Sequence, residues 1–121
     1  MIHIDETAPD GVVIAKASGK ATARDYSEVL MPDIEGEASS TEKIRFLCMF
    51  AEDFAGYERE AAMEDAQLGI GHWSSFERIG LVTDNDAYRG LARVFGFLMP
   101  GEVRVFDLED VAEARSWITA Y

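Results

Sequence analysis

Cysteine is nearly absent from this chain: Cys48 stands alone, so no intrachain disulfide can form and nothing points to an oxidising compartment. It falls in the most apolar run of the sequence, where a thiol is expected to be buried and to act as a small apolar side chain. Histidine is almost as scarce, and neither His3 nor His72 has a ligand-bearing companion at helical spacing. Asp65 lies seven residues before His72, about 10 Å along a helix and too far to share one ion. His72-Trp73 reads instead as a helix end, where imidazole suits the negative pole of the dipole. Basic residues are few, 11 against 23 acidic ones, for a net charge of -12. That charge repels phosphate backbones and anionic headgroups, so nucleic acid is not an expected partner and peripheral attraction to anionic membranes is opposed. No run of about 18 apolar residues is present to span a bilayer. The opening Met1-Ile2-His3-Ile4-Asp5 lacks the features of a signal peptide, and the expected location is the cytoplasm. No serine sits in the glycine-flanked turn of a hydrolase elbow. Gly19-Lys20 and Gly69-Ile70-Gly71 are only fragments of phosphate-loop patterns, so no cofactor is expected.

What is present is ample for a core. With 121 residues, 48% of them apolar, and no linker-like tract or internal repeat, residues 1–121 are expected to form a single domain. Ile2 to Asp5 and Val12 to Ser18, joined by the turn residues Ala8-Pro9-Asp10-Gly11, read as an opening hairpin. Thr22 with Asp25 makes a capping-box-like start to a first helix, which Pro32 should kink or stop. Ile44 to Ala51 is a nearly unbroken apolar run, expected to be a central strand. Residues Tyr57 to about His72 have helical character, weakened at the end by Gly69 and Gly71. Phe76 to Thr83 is the next strand, and Asp84 or Asp86 can cap a helix from Ala87 to about Leu98 that Pro100-Gly101 closes. Val103 to Phe106 is a last strand. Asp107 with Asp110 then opens a terminal helix through Val111, Ala114, Trp117 and Ile118.

This order predicts an α/β fold with a mostly parallel five-stranded sheet, an antiparallel first strand and about four helices. Three stretches carry a more specific likeness: Asp25-Tyr26 with the helix to Pro32, Phe76-Glu77-Arg78-Ile79, and above all the run from Phe97 through Pro100-Gly101 to Asp107, followed by Ala114-Arg115 and Trp117. In these the chain resembles the SpoIIAA-like branch of the STAS-fold proteins. The resemblance implies a non-enzymatic binding or regulatory module. It also implies comparison with regulators of sigma-factor partner switching, in which a serine after the central strand is phosphorylated. That serine is missing: the matching segment is Ala51-Glu52-Asp53-Phe54-Ala55-Gly56-Tyr57. Glu52 or Asp53 could imitate it through fixed charge, although solvated loop acids explain both.

Two surfaces stand out. Glu52, Asp53, Asp84, Asp86 and Asp107 should gather near the carboxyl ends of the strands, where open sheets bind ligands. Helix capping accounts for the last three, while a metal-dependent enzyme using Asp53 and Asp84 is the less favoured alternative. The helix from Ala87 carries more apolar residues than one stripe needs. Tyr88, Leu91, Ala92 and Phe95 can cover the sheet, which leaves Val94, Phe97, Leu98 and Met99 either tucked into the core or exposed as a contact surface. The expected partners of that surface are a second copy of the chain in a homodimer, a nonpolar small molecule, or a protein. The resemblance implies the last two, since these proteins are similar in fold to lipid-carrying domains.

Overall fold

Ile44 to Phe50 form the middle strand of the principal sheet, as their apolar run requires: a strand flanked on both sides and covered on both faces needs apolar residues at nearly every position. The computed structural model describes residues 1–22, 24–40, 43–57, 76–98 and 101–120, with side-chain surroundings for all of these except Tyr26, 37–40, 56–57, Leu91 and 94–98. The strands are β1 (Ile2–Ile4), β2 (Val12–Ala17), β3 (Lys20–Ala21), β4 (Ile44–Phe50), β5 (Gly56–Tyr57), β6 (Phe76–Val82) and β7 (Glu102–Phe106). Helix α1 comprises a π-helical stretch, Asp25–Leu30, that runs into Met31–Ser40; α2 is Asp86–Leu98, and α3 is Val111–Thr119. The large sheet has the order β1-β2-β4-β6-β7, with β1 antiparallel to β2 and every other pair parallel. This is the expected α/β sheet, with three helices among the described residues where about four were expected. The helix expected from Tyr57 is not present at its first residue, which pairs with Ala21 in a two-stranded parallel ribbon of β3 and β5. The remainder of that helix, with His72, lies outside the described residues.

Pleating divides the core between the two faces. Val13, Ala15 and Ala17 of β2 join Leu30 and Ile34 of α1 on one face, with Tyr88 of α2 packed against them. Val12 and Ile14 join Leu47, Val82, Phe106 and the α3 residues Ala114 and Ile118 on the other. Cys48 is half-buried rather than enclosed, on the face shared by α1 and α2.

The first helix neither stops at Pro32 nor breaks there. Pro32 cannot donate a hydrogen bond, and the wider turns of Asp25–Leu30 precede it, so it stands as the second residue of the regular α segment, where a missing donor costs little. Thr22 and Asp25 form the reciprocal cap read from the sequence. The Thr22 backbone N–H and hydroxyl donate to Asp25 Oδ2 at 2.8 and 3.0 Å, and the Asp25 N–H donates to Thr22 Oγ1 at 3.2 Å. Desolvation raises the Asp25 pKa, but these bonds and the N-terminal ammonium at 3.3 Å outweigh it and leave the carboxyl below its ordinary value.

At its other end the molecule is closed by arginines. Arg45 and Arg78, in register on β4 and β6, both donate to the last carbonyls of α3. Arg78 Nη1 reaches Trp117 O at 2.8 Å and Ala120 O at 2.7 Å; Arg45 Nη1 reaches Ile118 O at 3.3 Å and also Ala120 O. Carbonyls in the last turn of a helix are short of partners within it, although Trp117 O also accepts from the Ala120 N–H at 3.4 Å. Two guanidinium groups at a helix C-terminus also suit its dipole. The Trp117 ring lies between Arg78 and Arg104, 5.6 and 5.2 Å from their guanidinium carbons, over the gap left by Gly80.

Candidate functional site

Because β2, β4, β6 and β7 run parallel, their carboxyl ends open on one edge, and the segments that follow them build a continuous surface there. Its floor is aromatic. Phe50, the last residue of β4, stacks on Phe54 of the following loop at 4.3 Å between centroids and meets Tyr88 edge-on at 5.0 Å; Phe54 and Tyr88 are 5.8 Å apart. The loop is fastened from below, since the Ala51 N–H donates to Ala17 O and the Ala55 N–H to Gly19 O. Tyr88 stands in the first turn of α2, so the helix with the apolar surplus begins on this floor. Val94, Phe97 and Leu98 lie in the last turns of α2, and their side chains are outside the described residues, as is Met99 altogether.

Beside the floor is a charged cleft of about 570 Å³, lined by Asp84, Asp86, Arg89, Arg93 and Asp107. Three of the expected strand-end acids are thus brought together, while Glu52 and Asp53 stand exposed in the β4 loop and are not among the lining residues. The capping roles expected of these acids are corrected. Asn85 caps α2, its side-chain oxygen accepting from the N–H groups of Ala87 at 2.9 Å and Tyr88 at 3.3 Å. Asp84 accepts instead from Leu108 N–H at 3.0 Å, tying the end of β6 to the turn after β7. Asp107 makes no side-chain cap bond to the single 3-10 turn Leu108–Asp110, nor does Asp110 to α3. Asp107 binds Arg89, whose Nη1 also donates to Thr83 O at 3.2 Å. Asp107 lies 18 residues from Arg89, so no local pattern could have revealed the pair.

Arg89 and Arg93 are the lining residues that the sequence reading missed. Their spacing of four on one helix, which sets two cations on one face, was the available signal. The carboxylates of Asp107, Glu109 and Asp110 lie within 4.8 Å of one another, but Glu109 is exposed and Asp107 is already engaged by Arg89. Chemically, the cleft offers two guanidinium groups, that of Arg89 held by Thr83 and Asp107, together with carboxylate acceptors, a set suited to gripping polar groups.

A second, smaller cleft of about 230 Å³ lies against α3, lined by residues that include Asp5, Thr7, Ile14, Arg115 and Thr119. Hydrogen bonds from the Thr7 hydroxyl, from Arg115 at 2.8 Å and from the Thr7 backbone N–H hold the Asp5 carboxyl down to about 2. His3 is exposed on β1 opposite Lys16. Among the described residues no helix is long and apolar enough to cross a membrane.

Comparison with known proteins adds the lineage. No curated protein matches the sequence. A crystal structure of an uncharacterised protein with a SpoIIAA-like fold from Shewanella loihica PV-4 superimposes with a TM-score of 0.73, at 29% identity over 98% of this chain and 92% of the other. The SpoIIAA-like family model matches residues 12–119, nearly the whole length, and by that match the chain belongs to the SpoIIAA-like family.

Proposed function

We propose that this chain is a non-enzymatic binding module that holds a nonpolar ligand, or an apolar segment of a protein partner, along helix α2, from the carboxyl edge of the sheet where the helix begins to its last turns. The observation that carries this reading is the Phe50–Phe54–Tyr88 cluster, which lays an aromatic floor where open α/β sheets receive ligands and where α2 begins. From there α2 carries Val94, Phe97 and Leu98 toward Met99, an apolar complement beyond the one stripe a surface helix needs. The cleft beside the floor supplies the few polar groups that orient a mostly apolar ligand, with Arg89 held by Thr83 and Asp107 and Arg93 exposed one turn further on.

Titration with the neutral fluorophore phenylnaphthylamine tests this. The protein should bind it saturably. Phe97→Asp with Leu98→Asp should weaken binding by about 10-fold or more, since an apolar side chain contributes roughly 1.5–3 kcal/mol on burial. Glu113→Gln, on α3 across the sheet, should leave binding unchanged. Absence of saturable binding, or equal binding by the double variant, would overturn the reading.

A further inference from the structure

Beyond what α2 holds, β7 presents a surface of its own. It is an edge strand of five residues, and among the described residues no strand lies on its outer side. An open edge is a template for another strand, and chains that avoid pairing commonly place charged side chains, a proline or a bulge there; charges of opposite sign can instead match those of a second copy. Within β7 there is no proline, and its pairing with β6 is regular from Glu102 to Phe106. Its two exposed residues have opposite signs, Glu102 and Arg104, separated by Val103. The opposite edge is less suited, because β1 has only three residues.

We propose that the outer edge of β7 is a homodimer seam, in which two copies pair β7 with β7 antiparallel about Val103, so that Glu102 of each copy faces Arg104 of the other. Residues directly opposite in an antiparallel pair share a face, and opposite charges so placed stabilise the pairing. This register has no rival of equal quality. Moving the two-fold to Arg104 sets two guanidinium groups against each other and Glu102 against Phe106; moving it to Val105 sets Arg104 against Phe106. The sequence is self-complementary in one frame only, which is how an isologous contact selects its register.

The present state of the pair is compatible with exchange. Arg104 reaches Glu102 within its own strand at 3.1 Å, with both side chains about half exposed, and such a surface ion pair is readily traded for an equivalent one. The Arg104 guanidinium rests over Trp117, which keeps it on the α3 face, the face shared with Glu102. The two-fold axis is normal to the sheet, so each face stays continuous and two five-stranded sheets become one of ten. Helix α2 packs on β7, and the two α2 helices therefore flank the seam on one face. The dimer does not depend on what α2 binds, and a failure of either claim leaves the other standing.

Sedimentation equilibrium at about 100 μM, where contacts with Kd near 10 μM are populated, provides the test. The 13.4 kDa chain should sediment at twice its mass. E102R and R104E should each be monomeric with an unchanged circular-dichroism spectrum. Mixed in equal amounts, the two variants should form a heterodimer, because each then offers the charges the other lacks. The double swap E102R/R104E should dimerise like the parent protein, which guards against a variant that merely misfolds. A monomeric parent, a dimer that survives E102R, or a mixture that stays monomeric would overturn the proposal.

Discussion

Gly80 is a position where the addition of one methyl group should have a clear effect. A Cβ there would lie 2.7 Å from Leu47 Cδ1 and 3.2 Å from the Trp117 ring, so alanine has to push either the core of β4 or the aromatic lid of α3. Gly80→Ala should cost about 1–3 kcal/mol, the usual range for overpacking, measured as a lowered urea midpoint. Gly36, where a Cβ would meet no atom of the described residues within 4 Å, is the control site. Asp5 sets a pH dependence. Its folded pKa of about 2 lies below the ordinary 3.8, so its contribution to stability is full above the ordinary value and is lost as the pH falls toward 2. Asp25 is lowered in the same direction and adds to the same acid limb. Urea midpoints taken from about pH 5 down to about pH 2 should fall, and Asp5→Asn should flatten that fall. An unchanged slope would remove Asp5 from the account.

The elements show where sequence reasoning succeeds and where it stops. Apolar runs and alternation located every strand of the large sheet to within about a residue or two, and the Thr22–Asp25 cap was visible because its partners are three residues apart. The cap of α2 was not. Asp84, Asn85 and Asp86 are all good capping residues, and the choice falls to Asn85 because Asp84 is drawn off by Leu108, a tertiary contact with no local trace. Asn85→Ala should therefore cost about 0.5–2 kcal/mol in denaturation, against a few tenths for Asp86→Ala at the exposed first helical position. Strands β3 and β5, two residues each, are too short to show a period. The π-helical turns ahead of Pro32 escaped because propensity does not separate one helical hydrogen-bond pattern from another. At the site, strand ends revealed the acids of the cleft, but nothing local in the sequence marks Arg89 and Arg93 as their companions, because the chain brings Asp107 to Arg89 only through the fold.

For the molecule as a whole, the family match and the sheet order agree on a SpoIIAA-like α/β fold, and the surface that distinguishes this chain lies along the carboxyl edge. The fold alone does not specify a task, since one scaffold supports many. What the edge offers is an aromatic floor beside a cleft in which three aspartates outnumber two arginines, and from it α2 carries its surplus of apolar residues back along the sheet. A net charge of -12 disfavours anionic surfaces and leaves apolar contact as the principal attraction. Native mass spectrometry of the protein after incubation with hexadecanol, a neutral long-chain probe, tests this most directly. The account expects a peak carrying the added mass of one hexadecanol per chain, lost in the Phe97→Asp/Leu98→Asp variant with its fold intact. A bare mass in both proteins, or equal retention by both, would contradict it.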